Sequence, residues 1–140
     1  MLPLQGEISS EGLENCVDKK TGISIDILFA DEDWEMVMEM PDPRKVGEYD
    51  EKKGAFFMGL HDLVQLKMAV YLSKLKEYGP ATAAKDLGDV QGLMKNNRTK
   101  FYKEVVANYH PAVRKQCMKT LEEVVRAEKR RKRVRRDIER

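Results

Sequence analysis

With 140 residues, 41% of them hydrophobic and 36% charged, the chain is long enough for one compact domain with an ordinary core beneath a heavily charged surface. It has no run of apolar residues long enough to span a membrane, and its first residues, Met-Leu-Pro-Leu-Gln-Gly-Glu, lack a basic stretch leading into an apolar one, so the sequence reads as a cytoplasmic protein. The net charge of +2 hides an asymmetry: residues 1–50 hold 13 acidic and 4 basic side chains, whereas residues 126–140 hold 3 acidic and 9 basic.

In chain order, the first clear element follows Thr21-Gly22. Ile23, Ile25, Ile27 and Phe29 alternate with Asp26 between them, which predicts a strand over about 23–29 with Asp26 on the opposite face. Residues 31–39 begin with acids and carry Trp34, Val37 and Met38 at helical spacing, predicting a short helix that Pro41 and Pro43 end. Val46–Tyr49 and Ala55–Met58 flank a polar, Gly-ended turn and predict a hairpin over about 45–58. From Leu60 the period becomes helical through Leu63, Val64, Leu66, Ala69, Val70, Leu72 and Leu75, ending before Gly79-Pro80.

Pro80 suits a first helical residue for a second helix over 81–95 with Ala84, Leu87, Val90, Leu93 and Met94 as its apolar stripe. A third helix is expected over about 98–109 with Phe101, Tyr102, Val105 and Val106 inside, and Pro111 opens a long one carrying Val113, Cys117, Leu121, Val124 and Val125. Beyond these, apolar residues thin to Val134 and Ile138, so the last fifteen residues are expected to project as a solvated helix or to fray. The expected architecture is α+β: a small β element, one strand plus a hairpin, packed on a predominantly helical carboxyl-terminal part, with a domain over 1–125 and a basic helical tail over 126–140.

Two segments together resemble the nucleotidyltransferase superfamily, in the branch of minimal nucleotidyltransferases and abortive-infection toxin relatives. Thr21-Gly22-Ile23-Ser24-Ile25-Asp26-Ile27-Leu28-Phe29-Ala30 resembles the family strand that bears the third catalytic carboxylate. Leu60 to Ala69, with its Leu66-Lys67-Met68-Ala69, and Ala84-Lys85-Asp86-Leu87-Gly88-Asp89-Val90 resemble the family pattern of L-K-x-A, a loop, and K/R-D-x-x-D-V. The resemblance spans roughly residues 20–95 and corresponds to the carboxyl-terminal half of such a domain. It implies Asp26 as a relic metal-binding carboxylate and Lys67, Lys85, Asp86 and Asp89 as nucleotide-binding positions.

Nucleotidyl transfer needs several carboxylates to hold two divalent cations at the α-phosphate. No Gly-Ser or Gly-Gly followed by D-x-D precedes Asp26, and Asp31-Glu32-Asp33 comes after it, where acids ordinarily cap a helix. The resemblance therefore implies a truncated or divergent protein, inactive by itself, that binds a nucleotide or completes a site with a partner carrying the missing half. Mg2+ would enter only with that partner's carboxylates. The alternative for Asp26 is an exposed strand residue or a local hydrogen-bond partner, for Lys67 a solvated lysine or one lying along an amphipathic helix, and for Lys85 and Asp89 a salt bridge four residues apart.

A different class of function attaches to Lys129, Arg130, Arg131, Lys132, Arg133, Arg135 and Arg136, a charge run suited to nucleic acid or an acidic partner though without an interleaved aromatic. Homo-oligomerisation through a face left bare is a third expectation. Cys16 and Cys117 are too far apart to suggest a metal site, His61 and His110 are isolated, and the methionines read as core filler.

Overall fold

The computed structural model describes residues 4–8, 14–27, 37–39 and 41–139, and the protein is α+β. It divides into two compact units, Met1–Trp34 and Glu35–Arg140. In the first unit β1 (Leu4–Ile8), β2 (Glu14–Asp18) and β3 (Ser24–Ile27) form an antiparallel meander in that order. Asp26 lies in β3 opposite Asn15 of β2. Asp18 organises the turn between β2 and β3: its carboxylate accepts from the Lys20 backbone N–H at 3.0 Å and the Thr21 hydroxyl at 2.9 Å, and its backbone C=O accepts from Gly22 N–H at 2.8 Å.

The predicted strand over 23–29 is present as β3, its last two positions lying outside the described residues. No element was predicted over residues 1–19, where β1 and β2 stand. Their apolar residues are few, and the backbone pairing of β1 with β2 and of β2 with β3, rather than local pattern, defines them. The helix expected over 31–39 also falls largely outside the described residues, and its last three positions are irregular.

The second unit opens with a single helical turn, α1 (Pro43–Val46), capped by the Asp42 carboxylate on the Arg44 N–H at 3.0 Å. The expected hairpin follows as β4 (Glu48–Asp50) and β5 (Ala55–Phe57). Asp50 Oδ1 accepts from the backbone N–H groups of Lys52 and Lys53, and Gly54 closes the turn at φ 63°, a conformation that favours glycine.

α2 (Leu60–Tyr78) and α3 (Pro80–Asn96) form an antiparallel hairpin joined by Gly79 alone. Gly79 sits at φ 87°, ψ 178°, a region essentially restricted to glycine, and Pro80 starts α3 where no N–H is needed. Two ion pairs cross the hairpin, Lys67 to Asp89 at 3.0 Å and Lys74 to Asp86 at 2.9 Å.

The helix expected over 98–109 is interrupted. A 3-10 turn at Arg98–Lys100 gives way to extended backbone at Phe101 and Tyr102, then to α4 (Lys103–Val106). The break lets the Phe101 ring enter the core, where it is 0% exposed, while Tyr102 turns outward at 52% exposure instead of inward. α5 (Pro111–Glu139) then runs through the position 125 boundary without a break.

One core holds the unit together. Val64, Met68 and Ala69 of α2 meet Val90 and Met94 of α3, Phe101, Val106 and Tyr109 of the connection, and Val113, Cys117 and Leu121 of α5. Met68 and Met94 fill it as expected of flexible thioethers. In α3 the buried alanine is Ala83, and Ala84 is exposed, because the inward stripe begins one residue earlier than the periodicity suggested.

Both histidines have structural work. His110 accepts the Ala112 N–H at Nδ1, 3.1 Å away, at the start of α5, and its own N–H donates to Gln65 Oε1 at 2.8 Å. His61 packs edge-on against Phe101 at 4.9 Å and shares a hydrogen bond between Nδ1 and the Tyr109 hydroxyl. Burial holds the Tyr109 phenol protonated well above its usual range, so with the imidazole neutral it donates to Nδ1.

Burial also lowers the His61 pKa, with Asp62 opposing and Lys100 assisting. The unfolded imidazole takes up a proton near its ordinary value of about 6.5, whereas the folded one resists until lower pH. Stability should therefore be flat above that value and fall as pH drops through it. Urea midpoints at neutral and mildly acid pH measure this, and His61→Gln should reduce the acid-side loss; an equal loss in the variant would assign it to other groups.

Candidate nucleic-acid interface

The carboxyl-terminal part of α5 separates its side chains by face. Arg126, Lys129, Arg133 and Arg136 succeed one another at steps of three and four residues and therefore form one stripe along the helix. Ala127, Val134 and Ile138 follow a second line, with Arg131 between them. Every side chain from Lys129 to Glu139 is exposed. Arg130, Lys132 and Arg135 add charge around the stripe.

The basic stripe does not end where the helix meets the body. Arg126 and Lys129 line an open groove whose other wall is Tyr102, Lys103 and Glu104, with Leu121 and Val125 along it. On the far side of Arg98 a second groove is lined by Lys95 and Arg131, among others. Arg98 stands between them as a strut. Its Nε donates to Glu128 Oε2 at 3.0 Å, and its Nη1 donates to the Phe101 carbonyl at 2.6 Å, fixing the 98–102 segment against α5.

Glu128 also receives Lys132 at 3.2 Å, and its carboxyl pKa is lowered, chiefly by the Lys132 hydrogen bond, with Arg98 contributing. It stays ionised and ties Arg98 to the helix. The stripe residues Arg126, Lys129, Arg133 and Arg136 take no part in this pair.

The positions carried by the family resemblance are distributed differently. Lys67 and Asp89 are brought together across the α2–α3 hairpin, and Asp86 is taken by Lys74, a residue that local spacing did not single out. The four-residue pairing of Lys85 with Asp89 is replaced by this interhelix pair, and Lys85 is exposed. Asp26 belongs to the other compact unit. Among the described residues no group of three or more His, Cys, Asp or Glu side chains is placed to hold a metal ion.

Cys117 is a free thiol in the core, its pKa pushed up to about 12 by burial, which leaves it unreactive as a nucleophile. No helix among the described residues is long and apolar enough to cross a membrane.

Sequence reading located the charge run but missed Tyr102, Lys103 and Arg98 as its continuation. Only the packing of α5 back across the 98–103 segment brings them to it; the Arg98–Glu128 bond joins residues 30 apart in sequence. Comparison with protein-family models, with characterised proteins and with solved structures returned no match for this chain.

Proposed function

We propose that the chain is a nucleotidyltransferase-like module that transfers no nucleotide by itself and acts in the cytoplasm by binding nucleic acid through α5. The observation that carries the binding reading is the stripe Arg126, Lys129, Arg133 and Arg136, exposed on one helix face and continued into the Tyr102–Lys103 groove. A line of guanidinium and ammonium groups on a rigid element matches a line of phosphates. The nucleotidyltransferase part rests on the resemblance of the Asp26 strand and of the Lys67 and Lys85–Asp89 segments. Two-cation nucleotidyl transfer needs several carboxylates, and Asp26 is the one the resemblance assigns to this chain, which is why the reading has it transfer no nucleotide by itself.

The test is fluorescence anisotropy of a labelled oligonucleotide across a salt series, beside binding of a nucleoside triphosphate, for the full chain and variants. Oligonucleotide affinity should fall steeply with salt and depend little on sequence. If instead the nucleotidyltransferase-like elements bind the triphosphate, Lys67→Ala and Lys85→Ala should weaken that ligand while charge loss in α5 leaves it unchanged. Oligonucleotide binding that is absent, or flat across the salt series, would remove the reading.

A further inference from the structure

We infer that the groove between Tyr102–Glu104 and α5 receives an unpaired base, so that the nucleic acid bound is single-stranded. The inference rests on the binding function proposed above and adds the class of strand.

A duplex presents phosphates and groove edges, and its base faces are stacked out of reach. A helix stripe alone would serve either form of nucleic acid, since phosphate neutralisation does not distinguish them. An aromatic ring held open beside that stripe does distinguish them, because only an unstacked base offers a flat π-face.

Tyr102 has that character. The residue is 52% exposed, yet its backbone is fixed on both sides. The Tyr102 carbonyl accepts from Val105 N–H at 3.1 Å and Val106 N–H at 3.2 Å, starting α4. The preceding residue is anchored by its buried ring and by Arg98 on its carbonyl. The ring is thus presented by a segment that needs no ordering when a ligand arrives.

The surroundings suit such a ligand. Half-buried Val125 offers apolar surface against which a base can lie, and Lys103, Arg126 and Lys129 outnumber the carboxylates Glu104 and Glu122 of the same groove where the flanking phosphates would run. From Lys129 the stripe continues outward to Arg133 and Arg136, so a strand seated by one base at Tyr102 would be tracked along the helix by its backbone.

The experiment compares a single-stranded oligonucleotide with the duplex of the same sequence, using the full chain, Tyr102→Ala and Tyr102→Phe. The expected result is tighter binding of the single strand, a loss of about tenfold for that strand in Tyr102→Ala, and retention in Tyr102→Phe, which keeps the ring. Duplex affinity should be the same in all three. Equal or tighter duplex binding, or single-strand affinity unaltered in Tyr102→Ala, overturns the inference and leaves salt-dependent nucleic-acid binding standing. Binding to vesicles of anionic lipid with none to either oligonucleotide overturns both.

Discussion

Phe101→Ala should lower the unfolding free energy by about 3–5 kcal/mol, a large share of the roughly 5–15 kcal/mol available to a domain of this size. The ring is 0% exposed and touches the core from a stretch of extended backbone between two short helical turns. Its removal leaves a cavity with helices on its sides, which collapse poorly, and strips His61 of its edge-on neighbour at 4.9 Å. The loss should also reach the proposed site, since the Phe101 ring is one of the two anchors behind Tyr102. Urea denaturation of the full chain reads the effect, and a loss below about 1 kcal/mol would show that the ring does not hold the connection in place.

Replacing Arg126, Lys129, Arg133 and Arg136 together by Gln should nearly abolish oligonucleotide binding at physiological ionic strength and reduce the slope of log affinity against log salt by about 3. Each phosphate neutralised contributes about 0.7 to that slope on a single strand and about 0.9 on a duplex, so four lost contacts set the size of the change. Some slope should persist, because Arg130, Arg131, Lys132 and Arg135 remain. The helix itself should survive, as Gln is nearly as good a helix former as Arg and none of the four positions bears the Arg98–Glu128 bond. An unchanged slope in this variant, with helical content intact, would place the binding surface elsewhere.

The helices of the second unit were legible because their signals are local. The apolar period from Leu60 to Leu75, the Gly79-Pro80 stop and the Pro111 start each correspond to a boundary in the structure. The hairpin was readable from its turn chemistry alone. The misses share the opposite property: β1 and β2 exist through pairing, and the break at Phe101 exists because a distant core takes the ring and Arg98 takes the carbonyl.

The same division runs through the candidate site. A charge run can be read from consecutive residues, whereas the choice of Lys67 over Lys85 as partner for Asp89 links positions 22 apart, and Tyr102 reached the groove only through a break that helical periodicity does not encode. A stripe of Phe101, Tyr102, Val105 and Val106 suggested an ordinary amphipathic helix. The structure buries one of these adjacent aromatics and exposes the other, and extended backbone is what separates them.

The one-residue joint between α2 and α3 governs how the protein behaves when two copies meet. Helical hairpins commonly exchange arms between molecules by straightening their connection into a single long helix, which turns an intramolecular contact into an intertwined dimer. Here that route would place Pro80 inside a continuous helix, losing a backbone hydrogen bond and driving its ring against the carbonyl of Lys76, at a cost of about 3 kcal/mol per chain. Gly79, already at ease at φ 87°, gains little by leaving that conformation. The joint therefore favours closure of each hairpin on itself, and resists arm exchange even at the concentrations reached during refolding.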